Sequence, residues 1–297
     1  MCHDRAMQRL RPDPLPAIHP VAEVRADARL RAVYDETKAT LRVPWMGVVT
    51  MALAHRPRFY DALWRALRPT LASVAFESAC ASLREHVAGQ ASSLGARPLR
   101  AALARSGYAD GELAEIDTVV EVFSRGNLPY LLLITAVRMV LEGRTLEAAG
   151  DPGALRPAPA RAAFGPSRLV LMEPHHADPP TAAIYDDLRA TLGLPFVNTD
   201  YRALARWPSY FAAAWADLRG IVLGPAWEPA VQSIHDRTVA LAQRLPMAQT
   251  LSPQQLRTAA ALDAGGDGVL DVVRLFQWLL PGLVANVACL RAQLVAQ

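Results

Sequence analysis

Apolar residues recur along this chain at helical spacing, and no stretch alternates for long enough to compete as a strand. Residues 32–40 and 183–191 carry apolar positions on one helical face, and each run is stopped four residues later by a proline, Pro44 and Pro195. Further on, Leu113, Ile116, Val119, Val120 and Phe123 share one face of a helix expected over residues 112–123, with Gly126 placed to end it in a left-handed turn. Pro129 would then open the next helix, whose run LLLITAVRMVL is apolar nearly all round, as an interior helix is. The longest apolar stretch, residues 128–137, is shorter than the roughly 20 residues a membrane span needs. The expectation is an all-α fold with no membrane segment.

The pattern also repeats. The segment YDETKATLRVPWMGVVTMALAHRPRFYDALWRALR begins at Tyr34, and it lies without a gap on YDDLRATLGLPFVNTDYRALARWPSYFAAAWADLR, which begins at Tyr185, 151 positions further on. Tyr34/Tyr185, Asp35/Asp186, Thr40/Thr191, Pro44/Pro195, Pro57/Pro208 and Trp64/Trp215 recur in register. Shared helix bias does not produce matching prolines and tryptophans. Residues 148–180 are rich in Pro and Gly, which disfavours regular structure, and read as a linker. The chain therefore divides into an N-terminal arm and first helical repeat (1–147), the linker (148–180) and a second repeat (181–297), two pseudo-symmetric halves expected to pack as an intramolecular pseudo-dimer with a site where they meet.

Composition narrows the function. With 52% hydrophobic residues the chain can bury a large core, and its abundant Ala, Leu and Arg favour helix. The formal net charge is only +3 and the arginines are scattered, so nothing points to nucleic acid. Three cysteines, Cys2, Cys80 and Cys289, give neither a disulfide framework nor a zinc knuckle. The first twenty residues lack the apolar core of a secretion signal, and the cytoplasm is the expected compartment.

Familiar catalytic signatures are missing: there is no GxSxG, GxGxxG, P-loop or HExxH. His175–His176 lie between prolines and read as a surface loop, and residues 263–268, DAGGDG, fail the calcium-loop spacing and read as a turn between helices. Glu77, Cys80 and His86 are similar to the helical motif of the carboxymuconolactone decarboxylase fold, but Leu83 stands where the second cysteine of a redox pair is needed, leaving Cys80 as a small buried hydrophobe.

The informative difference lies between the copies. Gly47-Val48-Val49 of the first copy has become Asn198-Thr199-Asp200 in the second. In one reading Asn198 or Thr199 caps a short helix and Asp200 complements its dipole. In the other, Asp200 faces a desolvated interior, because Val49 lies in an apolar run, and such a carboxylate has a chemical purpose. Asn127 is open in the same way: a turn or cap residue ahead of Pro129, or an amide that orients a water for a carboxylate to deprotonate.

The strings TLRVPW (40–45), GNLPYLLLITA (126–136) and TDYRALARWP (199–208) together resemble the group I 2-haloacid dehalogenases, over most of the chain from Tyr34 onward. The resemblance implies an all-α enzyme of two pseudo-repeats with its site at their interface, and no cofactor or metal. It makes Asp200 the catalytic base and Asn127 its partner in holding water. Trp45 becomes a pocket wall, Thr199 a small hydroxyl residue beside the base, and Glu77 an acidic position implicated in activity, for which a solvated helix carboxylate is the alternative. Val48 stands where a pocket phenylalanine is expected, and Phe276 where a late tyrosine is. Asn198 stands where D-selective members carry asparagine and non-selective members a small residue. The implied reaction is hydrolysis of a small 2-haloacid with inversion. Backbone N–H groups near residues 198–200 are candidates for the substrate carboxylate, and the Trp45 N–H with apolar walls for the halide. Covalent attack by Asp200, a non-stereoselective enzyme and a non-catalytic scaffold are the competing readings, and a homodimer is compatible with all of them.

Overall fold

Asp27 and Asp178, 151 positions apart, open the two repeated segments in the same way: each side chain accepts the amide N–H three residues on, from Leu30 at 2.8 Å and from Thr181 at 2.9 Å. The computed structural model describes residues 7–159, 169–264 and 268–295. Its helices, in chain order, are α1 (Ala28–Leu41), α2 (Val48–Ala54), α3 (Pro57–Leu71), α4 (Val74–Ser92), α5 (Arg100–Arg105) and α6 (Asp110–Leu141), then α7 (Pro179–Leu192), α8 (Thr199–Leu204), α9 (Pro208–Val222), α10 (Trp227–Ala242), α11 (Pro253–Ala261) and α12 (Val269–Gln293). Among the described residues there are no strands, only isolated bridges, so the fold is all-α as expected.

The first three helices of each segment are built alike. Pro57 and Pro208 occupy the first positions of α3 and α9, where a missing N–H is harmless. Left-handed residues, Arg42 (φ 57°) and Gly193 (φ 65°), close α1 and α7. Tyr34 and Tyr185 each donate to a carbonyl 13 residues back, Val21 and Met172, both at 2.8 Å. Trp64 and Trp215 donate to the paired acids Glu36 and Asp187.

α6 and α12 pack along each other at the centre, flanked by α4 and α10, while α2 leans on both central helices and α8 on α6. The break expected at residues 126–129 does not occur. α6 runs through it as one 32-residue helix, buried at every position from Gly126 to Leu141. A proline inside a helix costs ~3 kcal/mol. Burying one large apolar side chain returns about 1.5–3 kcal/mol, and Leu128, Leu131, Leu132 and Ile134 all lie at 2% exposure or less. Tertiary burial thus overrides the local signal. Gly126 serves packing instead of termination: the Trp45 indole lies so close that an added Cβ would overlap the ring.

α12 is long and apolar enough to cross a membrane, unlike the ten-residue stretch noted in the sequence, yet 83% of its apolar window is buried inside the molecule, as in a core helix. The N-terminal arm wraps onto this core. Met7 O is bonded by His235 Nε2 at 2.7 Å, Gln8 O accepts from Arg138 at 2.9 Å, and Trp278 O accepts from Arg9 at 3.1 Å. The early part of the linker is also tied down, with Ala158 N donating to Ala72 O and Ala149 N to Met247 O. His175 and His176 sit in an exposed 3-10 turn before α7. The glycines and Asp267 of the 263–268 turn lie partly outside the described residues.

Candidate active site

Asn198 adopts an extended conformation (φ −62°, ψ 156°) as the first half-turn residue of α8, but its side chain makes no cap hydrogen bond. The capping role expected of it is therefore not taken, and its amide oxygen is buried without a partner. Two positions later Asp200 points inward and is only 3% exposed. α6 delivers Asn127 from 73 positions away, and its Nδ2 donates to Asp200 Oδ1 at 2.6 Å with both side chains buried. Asn127 is thus neither a cap nor a turn residue. It is a mid-helix amide aimed at a carboxylate.

Burial pushes Asp200 up to about 6. The Asn127 hydrogen bond, a backbone N–H and the charge of Arg202 hold it from rising further. Arg202 also fixes the start of α8: it pairs with Glu173 at 2.7 Å and donates to Thr199 Oγ1 at 3.3 Å.

Asp200 and Asn127 border a cavity of about 30 Å³ whose other walls include Trp45, Val48, Val49, Asn198, Thr199 and Phe276. It lies where α2 of the first segment, α8 of the second and the two central helices meet. That volume holds roughly two waters, so a larger substrate has to displace them and press the apolar walls outward. Phe276 is set against Phe196, ring centroids 6.2 Å apart. Trp45 is held by a residue that sequence reasoning did not single out. Tyr130 OH donates to Trp45 O and accepts from Gly47 N, both at 2.9 Å, pinning the turn before α2. Its signal was available: a tyrosine inside a wholly apolar helix needs a partner for its hydroxyl.

Glu77 is the exception among the expected site residues. It stands in the first turn of α4, one turn after the cap Ser73, and pairs with Arg42 at 2.5 Å. It lines a different groove that shares no wall with the Asp200 cavity, so the substrate contact expected of it is not supported by its position. The cause is the direction of the α4 face, which turns toward α1 and away from α8.

Asp200 Oδ1 is engaged by the Asn127 amide, and the carboxylate borders a space of about two waters in largely apolar surroundings. A base near 6 is ionised at neutral pH and still takes a proton readily. A buried, oriented carboxylate of this kind on an all-helical scaffold is chemically able to take a proton from water. Comparison with known proteins gives the family. The halocarboxylic acid dehydrogenase DehI family matches residues 44–194, and the chain belongs to it. An (R)-2-haloacid dehalogenase of Rhizobium sp. (strain NHG3) is 45% identical over 236 residues, which cover 79% of this chain and 91% of that protein. An (R)-2-haloacid dehalogenase of Pseudomonas putida is 37% identical over 281 residues, 93% of this chain and 92% of its own length. A solved structure described as the complex of D-2-haloacid dehalogenase with L-LA matches with a TM-score of 0.89 at 34% identity, covering 97% of this chain and 100% of that one. The resemblance read from the sequence is therefore shown.

Proposed function

We propose that the protein hydrolyses short D-2-haloalkanoic acids to L-2-hydroxyacids, with Asp200 activating water directly. As a member of this family with two (R)-2-haloacid dehalogenase relatives, the chain is a hydrolase acting on carbon–halide bonds. The observation that carries the mechanistic reading is the buried 2.6 Å contact between Asn127 and an Asp200 raised to about 6. Asp200 accepts a proton from water, and the water oxygen bonds to the α-carbon on the side opposite the halogen. The carbon–halogen bond breaks, the halide leaves with the electron pair, and configuration inverts. Asn127 keeps the carboxylate and the water in line, a positioning effect that shortens the search for the attack geometry. Neither a cofactor nor a metal is required by this chemistry.

The architecture fits a duplicated origin for the site. The matched caps, prolines and tyrosine and tryptophan hydrogen bonds support two halves, 1–147 and 181–297, joined by 148–180 and packed as a pseudo-dimer, with Asp200 contributed by the second and Trp45 by the first.

One experiment separates direct hydrolysis from its rivals. A single turnover of D-2-chloropropionate in oxygen-18 water, with enzyme in excess, is expected to release one equivalent of chloride and place the label in the hydroxyl of the product. An unlabelled first product would show that Asp200 itself attacks carbon. No chloride at all would leave a scaffold without activity.

A further inference from the structure

A groove of about 400 Å³ opens on the second half between α7, α9, α10 and α12. Its walls include Arg9 and Arg11 of the N-terminal arm, Trp278, Tyr201, Asn198 and Asn286. Three of its residues, Asn198, Leu279 and Leu283, also line the Asp200 cavity, so the two spaces are divided by one layer of side chains. The first half has an equivalent groove of about 390 Å³, with Thr40, Leu41, Leu71 and Glu77 at the places of Thr191, Leu192, Val222 and Glu228. That groove shares nothing with the cavity. It is shut off at Gly126 by the Trp45 indole and by the Tyr130 hydroxyl that pins the turn behind it. Of the two grooves, only the one on the second half shares walls with the Asp200 cavity.

We propose that the second-half groove is an anion-binding vestibule through which the substrate carboxylate enters, collected by Arg11 with Arg9 and handed inward past Asn286 and Asn198. This rests on the reading of the cavity as a 2-haloacid site. Arg9 and Arg11 both lie over the Trp278 ring, at 5.9 and 5.7 Å, which fixes two guanidinium groups at the mouth. Arg9 is paired with Glu228, whereas among the described residues the hydrogen bond from Arg11 goes to an uncharged carbonyl, Gly193 O, at 3.3 Å, leaving a net positive charge to attract an anion. The inner wall carries unsatisfied polar atoms. Asn286 is 1% exposed and Asn198 6%, and the amide oxygen of each is buried with no hydrogen-bond partner. Asn286 Nδ2 is meanwhile committed to Tyr201 OH at 2.7 Å. Two unpartnered acceptors at a threshold suit the waters that accompany a carboxylate, which must be shed there before it meets the apolar cavity. The fixed arm makes the vestibule a formed structure, because the same arm is bonded through Met7, Gln8 and Arg9 to α10, α6 and α12.

The test measures passage separately from binding. Tryptophan fluorescence is followed after rapid mixing with L-lactate, which is not turned over, and chloride release from D-2-chloropropionate is measured in parallel. Gly282→Phe fills the groove floor, where a Cβ meets only Trp227 at 3.8 Å, and Leu223→Trp narrows the exposed mouth. Both are expected to slow association and dissociation together by tenfold or more while Kd changes by less than threefold. Arg11→Glu is expected to slow association alone and to flatten its dependence on salt. Ala81→Phe, the matching plug in the first-half groove, is expected to change neither rate. Thermal melts identify any variant that fails to fold, and the mouth variant keeps the test alive if the floor variant does so. Wild-type chloride release with binding rates untouched by both folded plugs would overturn the vestibule alone. Absence of chloride release by the wild type would overturn the haloacid reading and the vestibule with it.

Discussion

Burying the Asp200 carboxylate costs stability, with a sign set by the direction of its shift. Its folded value of about 6 lies above the ordinary carboxylate value of 3.8. Below pH 4 the group is neutral in both states and contributes nothing. Between 4 and 6 the unfolded chain ionises first, so stability falls as pH rises, and above 6 the full penalty persists. Asp200→Asn is therefore expected to abolish turnover, because an amide takes no proton, while stabilising the fold at pH 8 by about 2–3 kcal/mol. Denaturant melts at pH 8 and pH 4 check this, since the gain should vanish at the lower pH. For the wild type, kcat/KM should fall on the acid side with a limb near 6. Asn198 invites a second substitution. Its unpartnered amide oxygen borders the cavity, and a clash or an unpaired polar group costing about 3 kcal/mol discriminates enantiomers by more than a hundredfold. Asn198→Ala is expected to raise kcat/KM for L-2-chloropropionate at least tenfold. Equal wild-type values for the two enantiomers would remove Asn198 from stereocontrol.

At the scale of elements, the site depends on how closely α6 approaches the Trp45 turn. Gly126→Ala puts a methyl group into the indole, and overpacking of this kind costs about 1–3 kcal/mol. The expected result is a lowered melting temperature together with reduced kcat, because Trp45 is pushed toward the cavity that it walls. An unchanged melt and full activity would mean that the ring has room to yield. The same helix marks the limit of what the sequence made legible. The paired helices were readable because their signals are local: apolar positions at helical spacing over 32–40 and 183–191, with Pro44 and Pro195 beyond each run. The continuity of α6 was not, since Gly126 and Pro129 are locally breakers and only the burial of everything around them reverses their meaning. Asp200 could be picked out by comparing the copies, and Asn127 by its oddity in an apolar run. Their contact spans 73 positions and leaves no trace in either neighbourhood. For Glu77 the family resemblance supplied a role but no location, and the sequence did not say that it lines a groove apart from the Asp200 cavity.

At the scale of the whole molecule, two similar segments and a pinned arm converge on a cavity that serves one carboxylate. Val49 and Asp200 occupy corresponding places in the two segments, and both border that cavity. Had both positions kept an acid, two like charges would share a dry space of about 30 Å³, and they could not ionise together. One would hold the proton that the other needs to accept, as in paired-carboxylate enzymes that work in acid. Val49→Asp is accordingly expected to cut activity at pH 7 at least tenfold and to shift the acid limb upward by more than a unit, which a pH–rate profile would register. An unmoved profile would mean that the two positions are too far apart to repel. Equal residues at these two positions are thus incompatible with a carboxylate that ionises at neutral pH: the valine in one segment is what leaves the aspartate in the other free to carry its charge.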